Sequence, residues 1–158
     1  MPHCEDDAQR RPIANALVGV WTLRSYSDIG EGVAPQCPFG DDPEGLLIYT
    51  LDGFVSAVLM ARGRPNLSGN EFTDGTAAEY ASAGKGFIGY TGRYEMDEER
   101  SVVTHRPSVA FAPNMVDSFQ ERLVELNGAV LVLTAEHSQS PGLPTIKSRL
   151  EWVRVTRS

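Results

Sequence analysis

Leu17-Val18-Gly19-Val20-Trp21-Thr22-Leu23 stands near one end of this chain, and Arg149-Leu150-Glu151-Trp152-Val153-Arg154-Val155 near the other. The first string sets a glycine two residues ahead of a tryptophan at the mouth of a strand-like run. The second alternates until it reaches an arginine. A sheet that closes on itself must hydrogen-bond its first strand to its last, so paired signals at the two ends predict a barrel. The strand period of two puts Ile146, Ser148, Leu150, Trp152 and Arg154 on one inward face. There Arg154 is expected to lie over the indole of Trp21 as a cation–π partner, with Trp21 plugging the closed end.

The rest of the chain fills in the barrel. Residues 12–18 read as a short helical turn with Pro12 favourable at its start. Strands are expected at about 19–28, 45–51, 54–61, 86–96, 100–106, 118–126, 129–137 and 145–156, with Asp52-Gly53 and Asn127-Gly128 as tight hairpin turns. The stretch Ile29 to Glu44, rich in proline and glycine, reads as a long loop, as do 107–117 and 138–144. In 62–86, Thr76 to Ala83 favours helix, with Thr73 or Asp74 available as its cap. The fold class is all-β: an eight-stranded antiparallel up-and-down barrel with an N-terminal helical turn and a helical lid segment. Residues 1–11 are expected to be a disordered tail, and 12–158 one barrel domain.

Pro43-Glu44-Gly45-Leu46-Leu47-Ile48-Tyr49-Thr50-Leu51-Asp52-Gly53-Phe54-Val55-Ser56-Ala57 resembles the P-x-G-x-L-x-Y-T-x-D-G-x-x-S-A run of the bacterial and fungal lipocalin-like domain family. Tyr90-x-Gly92-x-Tyr94-Glu95-Met96-Asp97 and Val102-Val103-Thr104-His105 resemble that family too, and Gly19-x-Trp21 with the late Arg154 resembles the lipocalin signature. The resemblance spans roughly residues 13–156. It implies the barrel fold, with the helical turn closing its floor, and by analogy a place among the cyclases and isomerases of secondary metabolism.

Composition narrows the partners. The chain has 158 residues, enough for one sizeable core, and a formal net charge of −7, which argues against nucleic acid and anionic membrane surfaces. No apolar run reaches the ~18–20 residues of a membrane-spanning helix, and Met1 to Arg11 lacks the apolar stretch of an export signal. Cys4 and Cys37 make no disulfide framework, so a cytoplasmic chain is expected. Flat outer strands allow a homodimer. No cofactor or metal is expected, because no metal-spaced cluster, phosphate loop or nucleophile elbow is present.

A barrel of this size can hold one small ligand, bound by inward side chains and by the loops of one rim. His105, in phase with Val103, is the candidate proton donor and acceptor near neutral pH; the plainer reading is a hydrogen-bonded wall histidine. Arg122 shares a face with Leu126 and should point inward. A buried guanidinium needs an anion, either a ligand oxygen or a protein carboxylate such as Glu136. Tyr49, Tyr90 and Tyr94 are expected to line the cavity or pack beneath its cover, with His137 at the rim and Trp152 on the last strand. The leading expectation is a cofactor-free cyclase or isomerase acting on a small, mostly apolar organic substrate, with His105 and Arg122 catalytic. The alternatives are a carrier for a small hydrophobic or aromatic molecule and a packed barrel without ligand. A cavity holding both His105 and Arg122 would favour the enzyme.

Overall fold

The computed structural model describes residues 12–138 and 140–156; the expected 1–11 tail lies outside the described residues. Helix α1 (Ile13–Leu17) begins after Pro12. Its first amides are taken by a distant carboxylate: Ile13 and Ala14 donate to the Glu98 oxygens at 3.0 and 2.8 Å. Glu98 thus supplies the acceptors that a helix start lacks.

The strands are β1 (Gly19–Gly30), β2 (Val33–Gln36), β3 (Glu44–Tyr49), β4 (Phe54–Met60), β5 (Phe87–Asp97), β6 (Val102–Ala110), β7 (Gln120–Asn127), β8 (Val130–Ser138) and β9 (Thr145–Arg154). They form one antiparallel sheet in the order β2-β1-β3-β4-β5-β6-β7-β8-β9, and β1 also pairs with β9. The ring is therefore a closed barrel of eight strands, with β2 outside it. Trp21 stands opposite Arg154 across the closing seam. In a ring of eight, β5 and β9 lie on opposite walls. Trp21, Leu47, Tyr49, Val103, Leu131 and Trp152 form the centre of the buried core.

Four local readings need correction. The 29–44 stretch is not all loop. β1 runs past the end of β3 and leaves a free edge, which β2 covers through a turn at Gly32 (φ +72°). All of β2 is exposed, so it carries no alternation, and Pro35 is tolerated because β2 is an edge strand. Second, β6 continues through Pro107 to Ala110. The register slips between Thr91 and Gly92, and this bulge accommodates a residue with no N–H to give. Third, a bulge at Arg24 moves β1 out of phase: Leu23 faces Trp152, but Ser25 faces Glu151 and Tyr26 faces Leu150. Tyr26 and Asp28 thereby join the inner face. Fourth, α2 (Ala77–Lys85) is capped by Thr76, not Thr73 or Asp74. Its hydroxyl accepts from Glu79 N, and the Glu79 carboxylate accepts from Thr76 N at 2.7 Å, a reciprocal capping box. No residue of α2 is buried.

Candidate ligand site

The barrel holds an open-mouthed cavity of about 740 Å³. Leu47, Ala57, Leu59, Ile88, Leu133 and Leu150 give it an apolar wall, and Met115 and Phe119 stand at its rim. Residues 62–86 contribute nothing to this lining, so the rim is formed by the segment between β6 and β7 rather than by α2. A second hollow, of about 460 Å³, lies against β3 and β4 and is lined by Pro43, Leu46, Met60 and Arg62 among others.

The polar centre of the main cavity is built on three strands. β3 brings Tyr49, β5 brings Tyr90 and β6 brings His105. The Tyr49 hydroxyl lies 2.6 Å from His105 Nε2, and the Tyr90 hydroxyl 2.7 Å from His105 Nδ1. Both ring nitrogens are therefore occupied. His105 is 1% exposed. Burial, and then the positive charge of Arg122, lowers its pKa to about 3. The expectation of an imidazole poised near neutrality is corrected: desolvation holds the ring neutral, with one donor nitrogen and one acceptor nitrogen. Burial raises both phenols as well, Tyr49 strongly, with Arg122 acting in the opposite direction on each. Both hydroxyls therefore keep their hydrogens.

Arg122 pairs across the ladder with Val103, which places it on the inner face, and it lines the cavity half-buried. Its Nη1 donates to the backbone oxygen of Glu121 at 3.0 Å, and among the described residues it makes no ion pair. Glu136, the protein partner considered above, pairs instead with Lys147 at 3.1 Å. A cation that lines the cavity and makes no ion pair among the described residues is suited to an oxygen of a guest molecule.

Of the other expected site residues, His137 lines the rim and is exposed, and Trp152 lines the cavity. The Trp152 indole N–H is buried and, among the described residues, has no acceptor. Tyr49 sits behind His105 rather than in the lining. Tyr94 is also outside it: its hydroxyl donates to Thr50 O at 2.9 Å, and its ring packs edge-on against Tyr49 at 4.8 Å. Sequence reading missed Tyr26, which lines the cavity and packs edge-on against Phe39 at 5.4 Å. No local signal marks it: Tyr26 alternates with Asp28 but not with Leu23, and the slip at Arg24 shows only in the strand pairing.

A closed eight-stranded antiparallel barrel around one small-molecule-sized cavity is the architecture of the lipocalin class. The family model described as lipocalin-like domain matches residues 18–155, and the chain belongs to that family. It is similar to a 4'-hydroxy-3'-methoxypropiophenone carrier protein of Aspergillus oryzae (strain ATCC 42149 / RIB 40), with 30% identity over 109 residues, 65% of this chain and 98% of that protein. No solved structure matches significantly. Among the described residues no group of three or more His, Cys, Asp or Glu side chains is placed to hold a metal ion, and no helix is long and apolar enough to cross a membrane.

Proposed function

We propose that this protein is a carrier that binds one small, mainly apolar aromatic molecule bearing an acceptor oxygen. The observation that carries this reading is the chemistry of the cavity: an apolar wall of Leu47, Leu59, Ile88, Leu133 and Leu150 facing a polar centre whose histidine is neutral and tied at both nitrogens. His105 and Arg122 do share the cavity, the pattern expected of the cyclase or isomerase. A proton shuttle, however, needs a group that exchanges its proton near the working pH. An imidazole with a pKa of about 3 and two raised phenols offer fixed hydrogen bonds instead. Such groups orient a guest and hold it. The carrier named among the similar proteins supports the same choice, and its aryl ketone supplies a first probe.

The test is a titration with 4'-hydroxy-3'-methoxypropiophenone, followed by the fluorescence of Trp152, which lines the cavity. Saturable one-to-one quenching, with a Kd around the micromolar range, is expected for a pocket of this size. Mass spectrometry after long incubation should recover the ketone unchanged. A cyclised or isomerised product would restore the enzyme reading. Absence of binding by this ketone and by other small aryl ketones would remove the carrier.

A further inference from the structure

Two hydroxyls and one neutral imidazole share two hydrogen bonds, and counting hydrogens fixes their direction. Tyr49 is buried, and among the described residues its hydroxyl has one partner, His105 Nε2. If Nε2 carried the hydrogen and donated it, the Tyr49 hydroxyl would accept, and its own hydrogen would be buried with no acceptor. That penalty shifts a tautomer balance by about tenfold or more. Tyr49 therefore donates to Nε2, and Nδ1 carries the ring hydrogen and donates it to the Tyr90 oxygen. The hydrogen of Tyr90 is then left over. Tyr90 lines the cavity, so the guest is where an acceptor can be found. Arg122 lies close enough to influence the same hydroxyl, and a cation there turns the oxygen's lone pairs toward itself and the hydrogen away.

We propose that Tyr90 is the specificity-determining donor of this site, oriented by Tyr49 through His105, and that it selects a ligand presenting an acceptor-only oxygen, a ketone carbonyl. A carbonyl accepts from both Tyr90 and Arg122 and has no hydrogen of its own to place between them. A phenol at the same spot must find a home for its hydrogen beside two donors. On the opposite wall, β9 contributes Trp152, another donor without an acceptor among the described residues. Tyr49 makes no contact with the guest space and acts as a positioning residue.

The ligand selectivity rests on the binding reading above, whereas the tautomer belongs to the ligand-free protein, so the two are tested separately. ¹⁵N NMR of histidine-labelled protein at neutral pH should show His105 with Nδ1 protonated and Nε2 bare. The reverse pattern, or a doubly protonated ring, overturns the relay. Binding is then compared for 4'-hydroxy-3'-methoxypropiophenone and for 2-methoxy-4-propylphenol, which lacks only the carbonyl oxygen. The wild-type protein should prefer the ketone by about ten- to a hundredfold. Tyr90→Phe should erase that preference while holding the phenol within about threefold of its wild-type affinity. Tyr49→Phe, although outside the lining, should also narrow it. Nε2 then lacks a partner in either tautomer, bare or protonated, so the ring is no longer held in one form. In the share where Nε2 carries the hydrogen, Tyr90 spends its own on Nδ1. Circular dichroism confirms that both variants are folded. Equal loss of both probes in Tyr90→Phe, or an undiminished preference in Tyr49→Phe, overturns the proposal. If the wild-type protein binds neither these probes nor other small aryl ketones, the carrier reading and the selectivity that rests on it both fail, and the NMR pattern decides the relay.

Discussion

Gly19 and Arg154 share one volume: a Cβ built on Gly19 would stand 2.7 Å from Arg154 Nη1. The guanidinium is held there from three sides. Its Cζ lies 4.1 Å from the Trp21 ring centroid, Nη1 donates to Val18 O at 2.9 Å, and Nη2 donates to Ala16 O. Trp21 Nε1 donates to the carbonyl between them, Leu17 O, at 2.9 Å. Three successive carbonyls at the end of α1 are thus satisfied by the two side chains that close the barrel. The Gly-x-Trp string and the late arginine are one device: the glycine makes room, the arginine caps, and the indole is the platform between them.

Replacing Gly19 by alanine should therefore lower stability by about 1–3 kcal/mol, because the backbone at φ +138° disfavours any side chain and moving the guanidinium aside gives up its bonds to Val18 O and Ala16 O. Trp21→Ala should cost more, about 3–5 kcal/mol, as for other large buried aromatics. Urea unfolding monitored by circular dichroism measures both. A Gly19→Ala protein as stable as the wild type would show that Arg154 is not confined by that space.

His105 should make the protein sensitive to acid. Its pKa is about 3 in the fold against an ordinary 6.5, so the unfolded chain takes up the proton first as the pH falls. The stability that comes from keeping the ring neutral is whole above pH 6.5, declines from there down to about pH 3, and changes no further below. Within that window the slope approaches about 1.4 kcal/mol per pH unit. His105→Gln, which stays neutral, should lose this component, so its stability relative to wild type should improve steadily with acidification. Parallel unfolding curves for the two proteins across the window would remove His105 from the acid response.

The closure of the barrel and its tight turns were legible because each rests on a short-range rule: a period of two, an Asp-Gly or Asn-Gly pair, a glycine before a tryptophan. What escaped reading depends on strands meeting. β2 exists because β1 overshoots β3, β6 passes Pro107 because β5 bulges at Gly92, and Tyr26 turns inward because β1 bulges at Arg24. Bulges shift phase without a fixed local signature. The inward face of Arg122 followed from alternation, and so did the phase of His105 with Val103. The clamp on His105 did not. It brings together Tyr49, Tyr90 and His105 from three strands, and only the register says which hydroxyl meets which nitrogen. The capping box of α2 could have been read, since Thr76 and Glu79 have the spacing that such a box requires.

Helix α2 should open long before the barrel wall. It buries no residue, and its start depends on the Thr76–Glu79 pair, whereas Leu131, Val132 and Leu133 of β8 lie in the core. Amide hydrogen exchange should show residues 77–85 protected far less than 131–133. Thr76→Ala should weaken that local protection by about 1 kcal/mol and leave global unfolding unchanged. Equal protection of helix and strand would mean that the helix is held by contacts stronger than its cap.

Arg122 presents the opposite case to Arg154, a cation on an inner wall that makes no ion pair among the described residues and donates to the backbone oxygen of Glu121. Removing a charge from such a place abandons no buried carboxylate, so the usual penalty for breaking a pair does not arise. Arg122→Met, similar in length and apolar, should leave stability within about 1 kcal/mol of wild type or raise it. The same substitution removes one of the two influences that hold the His105 imidazole down, so its pKa should rise from about 3 while burial keeps it below 6.5. Thermal denaturation reads the first effect, and an NMR titration of the His105 ring protons reads the second. A large loss of stability would show that Arg122 braces the wall between β6 and β7. An unmoved His105 would show that its charge does not reach the polar corner, and with that the electrostatic link between the cation and the ligand site would be lost.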